Sequence, residues 1–198
     1  MIIDNRVNFN TYREKILDNY SQLDYVCPKC GAKHSLIRHA IYERNVCYID
    51  NGNNICDNKI QVLRLKCKSC NSTHAILPND VIPYCIYSFS IIIDILIKHF
   101  INNKKVLAIG NELIISFQLI YSLIKRFQKF VKSCLLVLKS LGFDNVSTEI
   151  PQILEAINQY KNNHNDFLHQ YFLNSKWIFL MTKFHNILSP PIFISSSG

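Results

Sequence analysis

The chain lacks both an apolar segment long enough to cross a membrane and a secretory signal. Its most apolar runs, 90–100 and 113–124, are short, and Asp94 and Gln118 interrupt them, whereas a spanning helix needs about 20 mainly apolar residues. The first fifteen residues are polar and carry acids before any apolar run, which is not typical of a signal peptide. We therefore expect a cytoplasmic protein with no membrane partner, whose eight cysteines are reduced or bound to metal.

Carboxylates are scarce in the last part of the chain. Only Asp144, Glu149, Glu155 and Asp166 follow Gly142. Transposition by the common route needs three carboxylates that hold two metal ions on an α/β domain, and the 56 residues after Gly142 are too few for such a domain. The sequence therefore predicts a protein without transposase or nuclease catalysis.

Positive charge is confined to two blocks. The chain is 48% hydrophobic and 12% aromatic, with a net charge of +8, so it can bury a core. Residues 27–70 carry a net charge of +5, and residues 98–139 carry eight basic and one acidic side chain, a net charge of +7. Such clustering is typical of a protein that binds a polyanion. The alternative is a solvated basic face that serves only solubility.

Four cysteines form two CxxC pairs, Cys27 with Cys30 and Cys67 with Cys70, separated by 36 residues. Two such knuckles can offer four thiolates in a tetrahedron, which is the ligand set of a structural zinc ion. We predict one structural Zn²⁺ and no open coordination position for hydrolysis. The alternatives are a redox CxxC, which normally occurs once, and disulfides, which need an oxidising compartment.

The segment between the knuckles indicates a β-hairpin. The run IQVLRLKC alternates apolar and polar residues and leads into the second knuckle, and the turn-forming residues of 50–58 predict the connecting loop. Cys47 and Cys56 flank this loop; they are either buried thiols or ligands of a second metal, and the sequence does not decide between these roles. We interpret His34, His39 and His74 as packing or hydrogen-bonding residues.

The second basic block has the pattern of a helix-turn-helix. A short helix over 105–113 is followed by a tight turn, and Ser116 is placed to cap a second helix that continues to about residue 141. In that motif the start of the second helix contacts base edges. The predicted base contacts are Phe117, Gln118, Tyr121, Ser122 and Lys125, with Gln118 suited to adenine. The predicted phosphate contacts are Lys104, Lys105, Arg126 and Lys129.

Apolar residues of the long second helix fall at alternating steps of three and four. This seam, typical of a coiled coil, comprises Phe117, Ile120, Ile124, Phe127, Val131, Cys134, Leu138 and Leu141. It predicts a homodimer through the long helix. The alternative is that the stripe packs inside its own subunit, because further apolar residues widen the face.

Taken together, these patterns predict an α+β fold that is mostly α. A zinc ribbon, a β-hairpin carrying the two CxxC knuckles, precedes a helical helix-turn-helix domain. The expected boundaries are a leader over 1–24, ribbon and connector over 25–83, the helix-turn-helix domain over 84–142, and a helical, aromatic-rich extension over 143–198 that packs on the helices.

The residues that carry a family resemblance are CPKCGAKHSLIRHAIYER, IQVLRLKCKSCNSTHAILPNDVIPY and FLNSKWIFLMTKFHN. The first two resemble the zinc ribbon of bacterial insertion-sequence transposases. Together with the helix-turn-helix pattern, all three resemble a family of small transposase-like bacterial proteins of unassigned function, over roughly residues 25–185. The resemblance implies DNA binding and association with mobile elements. Two positions depart from the family pattern: Gly110 stands where Ala is usual, and Ile114 where Gly is usual.

Two functions from different classes follow. The first is a non-enzymatic protein that binds double-stranded DNA, as a mobile-element accessory or a transcriptional regulator. The alternative is a zinc-stapled protein-interaction or dimerisation module without specific DNA binding. RNA binding stays open as well, because neither the charge nor the zinc ligands distinguish the two polymers.

Overall fold

Two units make up the structure. The computed structural model describes residues 1–19, 24–50, 55–175, 177–181 and 192–194. One unit comprises Met1–Val81 with Phe184–Gly198, and the other comprises Ile82–Lys183. We call them the sheet unit and the helical unit.

The sheet unit contains a five-stranded mixed sheet. Its strands are β1 (Ile2–Asp4), β2 (Leu36–Ile49), β3 (Ile55–Cys67), β4 (Thr73–Pro78) and β5 (Ile192–Ile194), in the spatial order β2-β3-β4-β1-β5. Strands β2, β3 and β4 pair antiparallel, whereas β1 runs parallel to both β4 and β5. A π-helical segment, Arg13–Asp18, follows β1.

This sheet corrects the predicted fold class. We expected a two-stranded zinc ribbon followed by an entirely helical remainder, and that prediction is wrong. The hairpin is the outer part of a larger mixed sheet, to which β1 contributes from the predicted leader and β4 from the predicted connector. The parallel pairing of Ile2 with Ile76 joins segments far apart in the chain, and a three-residue strand leaves no periodic pattern in the sequence.

Apolar side chains cover both faces of the sheet. Successive residues of a strand point to opposite faces, so Ile2 belongs to one buried cluster and Ile3 to the other. The first cluster contains Ile2, Val7, Tyr12, Ile16, Tyr25, Leu63, Leu65 and Ile76. The second contains Ile3, Val46, Val62, Ala75, Leu77 and Val81. The central strands are therefore held from two sides, which a free-standing hairpin would not be.

A buried carboxylate, Asp4, contacts Tyr25 of the first cluster. Arg6 donates two side-chain hydrogen bonds to it, of 2.9 and 2.7 Å, and the Tyr25 hydroxyl donates a third of 2.6 Å. Burial alone would raise the pKa of Asp4, but the hydrogen bonds from Arg6 and Tyr25 outweigh burial and lower it. Asp4 thus ties the end of β1 to the residues that lead into the first knuckle.

The β2–β3 hairpin is long and nearly regular. Its register runs from Leu36 opposite Cys67 to Ile49 opposite Ile55, with one irregularity between Arg38 and Ala40. The predicted connecting loop over 50–58 is shorter than expected, because β3 already begins at Ile55, and residues 51–54 of that loop lie outside the described residues. The hairpin therefore leaves the cysteine region as β2 and returns to it as β3.

Five helices build the helical unit. They are α1 (Phe89–Phe100), α2 (Val106–Leu113), α3 (Phe117–Ser140), α4 (Ile150–Asn163) and α5 (Phe167–Ser175). The Ser88 hydroxyl caps α1 by accepting from the Ile91 N–H, and the Ser116 hydroxyl caps α3 by accepting from the Leu119 N–H. These serines fix the starts of α1 and α3, because their side chains satisfy amides that have no partner within the helix.

Aromatic side chains form part of the core of the helical unit. Phe89 stacks on Phe167 with ring centroids 5.3 Å apart, and Phe179 meets the rings of Phe89 and Tyr171 edge to face. Such pairs add about 0.5–1.5 kcal/mol beyond their buried area. Phe184, another member of the aromatic-rich C-terminal segment, lies outside the described residues.

Among the described residues, no single helix has the length and apolar character that a membrane crossing requires.

Candidate metal centre and nucleic-acid interface

The two CxxC knuckles have the same backbone geometry. In the first, the Gly31 N–H donates to the Cys27 carbonyl at 2.9 Å, and in the second the Asn71 N–H donates to the Cys67 carbonyl at 2.9 Å. Gly31 and Asn71 both have positive φ, 72° and 57°. Gly and Asn tolerate this conformation best, so each knuckle carries the residue that its turn requires immediately after its second cysteine.

The knuckles bring four sulfur atoms together, which confirms the predicted grouping. The Sγ atoms of Cys27 and Cys70 are 3.6 Å apart, those of Cys30 and Cys67 are 3.7 Å apart, and all four lie within 4.8 Å of one another. A tetrahedral site with zinc–sulfur distances of about 2.3 Å places its sulfurs about 3.8 Å apart. The four cysteines could therefore hold a metal ion with little rearrangement.

Hydrogen bonds at the cluster favour a ligand thiolate. Bonds from the side chain and backbone N–H of Ser72 lower the pKa of Cys70 to about 6. A thiolate is the form of cysteine that binds metal. The thiolate form is thus favoured at Cys70, whereas the pKa of Cys30 in the first knuckle is raised to about 12.

His74 contacts the cluster from β4. It is buried, at 2% exposure, and its Nε2 lies 3.4 Å from the Sγ of Cys27. Its Nδ1 lies 3.3 Å from the backbone nitrogen of Met1, which is a donor. Burial lowers the pKa of His74 to about 4, so the ring is neutral near pH 7. We therefore assign the ring proton to Nε2, which donates to the Cys27 sulfur.

The contact between His74 and the Cys27 sulfur agrees with the packing or hydrogen-bonding role expected from the sequence and identifies its partner. Groups that donate hydrogen bonds to metal ligands orient those ligands and tune their affinity for the metal. The signal that could have found it is its place four residues after Cys70, within an apolar strand that the connector assignment obscured. His39 is exposed, and His34 pairs with the exposed Asp24 at 3.3 Å.

Cys47 and Cys56 lie at the far end of the hairpin, away from the four ligand cysteines in its register. Cys47 is buried, and the Cys56 thiol donates to the Asp50 carboxylate at 3.7 Å. Within the described ranges, the four knuckle cysteines are the only group of three or more Cys, His, Asp or Glu side chains close enough to hold an ion. The described residues therefore offer Cys47 and Cys56 no third ligand.

In the helical unit, α2 and α3 meet at a sharp bend. Their axes differ in direction by 118°, across the three-residue break Ile114–Ser116. Ile114 ends α2 in the left-handed conformation, with φ 55° and ψ 42°, and is 93% exposed. Left-handed backbone costs a residue with a Cβ about 1–2 kcal/mol. Ile114 thus adopts a backbone conformation that glycine would take without strain.

Gly110 lies against the turn between α2 and α3. A Cβ at this position would lie 2.8 Å from the Ile115 carbonyl oxygen and 3.6 Å from the Ile120 side chain. The Gly110 carbonyl also accepts the N–H groups of Ile114 and Ile115. The backbone of α2 therefore approaches the turn and α3 so closely that only glycine fits.

The predicted base-contact residues lie on the exposed side of the first turns of α3. Phe117, Gln118, Tyr121 and Lys125 are exposed, and Ser122 is half-buried. Residues four apart on a helix share a face, so Phe117, Tyr121 and Lys125 form one stripe. We call this the aromatic stripe.

The predicted phosphate contacts are exposed too, but one of them is held by an ion pair. Lys105, Arg126 and Lys129 are exposed, whereas the Lys104 Nζ lies 2.7 Å from Glu112, which Lys98 also approaches at 3.6 Å. The hydrogen bond from Lys104 lowers the pKa of Glu112. This carboxylate, the only acid in the second basic block, is thus paired with two lysines.

The heptad seam of α3 is mostly buried within its own unit. Ile120, Ile124, Phe127, Cys134 and Leu138 are buried, while Phe117 at its start is exposed. The homodimer through this helix stays a prediction. The burial shows that most of the seam already packs within the chain.

Comparison with known families finds one match. A family model described as a domain of unknown function, DUF6431, matches residues 27–111. The matched segment begins at Cys27, contains the four knuckle cysteines and His74, and ends within α2.

No curated protein and no solved structure matches the chain.

Proposed function

We propose that this protein binds double-stranded DNA, without catalysing a reaction, through α2, the turn and the start of α3 acting as a helix-turn-helix. We further propose that the four cysteines hold one structural zinc ion, and that the protein serves as a mobile-element accessory or a transcriptional regulator.

The cysteine site fits zinc by its donor set. Four thiolates at tetrahedral spacing suit zinc or iron, and a closed set of four protein ligands is typical of a structural ion. When bound, zinc would fix the two knuckles to each other and so fix the return of β3 beside the first knuckle. Cys27, Cys30, Cys67 and Cys70 would be its ligands, with His74 donating to the Cys27 sulfur.

One observation carries the DNA-binding proposal: the start of α3 presents an exposed basic face without an acid. Lys125, Arg126 and Lys129 are exposed, and no acidic residue occurs between Glu112 and Asp144. Basic residues on one helical face attract the phosphates of a duplex and give salt-dependent affinity. An incidental solubility face would not need to exclude acids over 31 consecutive residues.

The angle between the helices supports the same proposal. Helix-turn-helix units join two helices at about 90–120° through a turn of three or four residues, and α2 and α3 meet at 118° across three residues. In such units the second helix lies in the major groove with its first residues on the bases. Gln118 and Tyr121 are exposed at that end of α3.

The accessory or regulatory role is supported by the sequence resemblance to transposase-like proteins. The scarcity of acids after Gly142 supports a role without catalysis, since metal-dependent strand transfer uses carboxylate ligands.

The decisive experiment compares two double variants of equal charge change. Lys125→Ala with Arg126→Ala removes two basic groups near the start of α3, and Lys132→Ala with Lys139→Ala removes two exposed ones from its second half. We expect the first pair to weaken binding to a duplex by at least about tenfold and to reduce the salt slope by about two. The control pair should retain most of the affinity. Equal affinities for the parent and the first pair would reject this site.

A selection from a random-sequence duplex pool at two salt concentrations tests the wider proposal. One zinc per chain, an enriched motif and a steep salt dependence would support a sequence-specific DNA-binding protein. Weak binding without enrichment, together with a stable dimer, would instead favour the interaction module. Preference for an RNA of the same sequence would reject DNA as the ligand.

A further inference from the structure

The start of α3 exposes two aromatic rings that its own unit leaves partly uncovered. Phe117 is 49% exposed and Tyr121 is 60% exposed. They lie one turn apart on the aromatic stripe, so both rings face the same side. Exposure of apolar surface to water is unfavourable, by about 25 cal/mol for each Å². Two neighbouring exposed rings therefore make the stripe a candidate contact surface.

The side chains around the stripe suit some bases better than others. Residues 117–124 contain no Arg, Lys, Asp, Glu or Asn, and their polar side chains are Gln118, Tyr121 and Ser122. In the major groove, guanine is read chiefly by Arg or Lys, adenine by Asn or Gln, and the thymine methyl group by apolar contact. The first two turns of α3 therefore carry readers of adenine and thymine, and the nearest usual reader of guanine, Lys125, lies in the third turn.

The charge around the stripe favours a nucleic acid over a protein as its occupant. Lys125 continues the stripe itself, and Arg126 and Lys129 are exposed beside it. Glu112, the nearest acid before the stripe in sequence, is paired with Lys98 and Lys104. An apolar surface bordered by basic groups matches a groove in which methyl groups lie between rows of phosphates.

We propose that Phe117 and Tyr121 contact the 5-methyl groups of thymines in the major groove, so that the preferred duplex contains A·T pairs opposite the first two turns of α3. This inference rests on the DNA binding proposed above. Gln118 would complement the two rings by pairing with an adenine of the same site.

Replacement of thymine by uracil tests the proposal directly, because it removes the methyl group and keeps the base pair. The enriched duplex from the random pool is synthesised once with thymine and once with uracil. For the parent protein we expect about fourfold weaker binding for each contacted methyl group that is lost. Phe117→Ala and Tyr121→Ala should each bind the thymine duplex more weakly and discriminate less between the two duplexes.

A matched control lies on the same helix. Leu136 is 68% exposed but lies about 22 Å further along α3 than Tyr121, so Leu136→Ala should keep the full preference for thymine. Tyr121→Ala replaces a largely exposed side chain, which keeps the test independent of folding, and circular dichroism would verify the helix content of each variant.

The outcomes separate the two proposals. A parent protein that binds the thymine and uracil duplexes equally, or that enriches a motif without A·T pairs, would overturn methyl readout and leave DNA binding intact. The aromatic stripe would then be a surface for a protein partner. A parent protein that binds no duplex would overturn both.

Discussion

The cysteine knuckles and the α2–α3 turn both contain residues at positive φ, but the two regions differ in the type of residue that occupies the position. Gly31 and Asn71 adopt that conformation at little cost, and hydrogen bonds of equal length close the two knuckles. In the α2–α3 turn the residue is Ile114, a β-branched residue for which positive φ is a true outlier. In the knuckles, the residue type therefore suits the backbone conformation. In the α2–α3 turn it does not, and the strained Ile114 lies next to the close contact that Gly110 makes with Ile115.

The two units also differ in what stabilises them. The sheet unit combines two apolar clusters with a four-cysteine site and the buried carboxylate of Asp4. The helical unit relies on stacked aromatic rings and on ion pairs near its surface. We therefore expect the sheet unit to respond strongly to metal removal and to acid, and the helical unit to respond mainly to changes in packing.

The largest effect should follow loss of a metal ligand. Cys67→Ser removes a buried thiol of the four-cysteine cluster, and structural zinc contributes on the order of 10 kcal/mol to small units that bind it. We expect metal content to fall from about one ion per chain to nearly none, with unfolding of the sheet unit. Elemental analysis and amide hydrogen exchange would measure both. Cys56→Ser is the matched control and should keep the metal; full metal content in Cys67→Ser would contradict the assigned ligand set.

Asp4→Asn should have the next largest effect. Hydrogen bonds to a charged group contribute about 1.5–3 kcal/mol, and Asp4 accepts several of them in a buried setting. We expect a loss of about 2–3 kcal/mol in the free energy of unfolding at pH 7, measured by urea denaturation. Asp24→Asn, at an exposed carboxylate, should change little. Equal stability of Asp4→Asn and the parent would show that the carboxylate charge is dispensable.

The same variant predicts a pH dependence. Because the pKa of Asp4 is lowered in the folded state, its stabilisation is complete above its unfolded value of about 3.9 and is lost as pH falls through the folded value. The parent should therefore lose this stability below about pH 4, and the difference between the parent and Asp4→Asn should shrink there. Urea denaturation of the parent and Asp4→Asn at each pH would measure this difference. Both proteins must contain the same amount of metal, so that competition of protons with the metal for the cysteines affects them equally.

Gly110→Ala tests the close approach of α2 to the turn. An added Cβ would lie 2.8 Å from a backbone oxygen, so the two helices must move apart. Overpacking of this kind costs about 1–3 kcal/mol, partly offset by the helix propensity of alanine. We expect a net loss of about 1–2 kcal/mol in thermal or urea denaturation. At the exposed neighbour Asn111, the same substitution should be neutral or stabilising, and a stabilised Gly110→Ala would contradict the packing constraint.

Ile114→Gly should have the smallest effect, and in the opposite direction. Glycine removes the cost of left-handed backbone but adds freedom to the unfolded chain. We expect a net gain of about 0.5–1 kcal/mol, seen as a rise of a few degrees in Tm. Asn103→Gly, at an asparagine with φ 53°, is the control and should change Tm less. A lower Tm for Ile114→Gly would show that the isoleucine side chain compensates for its backbone.

The features that the sequence predicted correctly are those that depend on residues close together in the chain. The cysteine spacing predicted the four-sulfur group, and the prediction that Ser116 caps the second helix is confirmed at the start of α3. These features depend on neighbouring residues, so a single sequence contains them. The exposed face of α3 could be predicted for the same reason, because the helical period places Gln118 and Lys125 on one side of the helix.

The sequence did not reveal the sheet. The pairing of β1 with β4 and β5 depends on contacts between distant short segments, for which no local pattern exists. Residues 73–78 lie in the segment that we assigned to the ribbon and connector, but they form β4, which ends at Pro78. The contact between His74 and Cys27 was not predicted for the same reason, because it depends on the position of β4.

The β2–β3 hairpin could be lengthened or shortened at its far end without moving the cysteines at its base. It leaves the first knuckle and returns to the second, with Leu36 opposite Cys67 at its base and Ile49 opposite Ile55 at its far end. Side chains alternate with a period of two along a strand. Insertions of two residues in each strand at the far end would therefore keep every ligand and core residue in phase. The four-cysteine cluster lies at the base of a hairpin whose length can change without moving these cysteines.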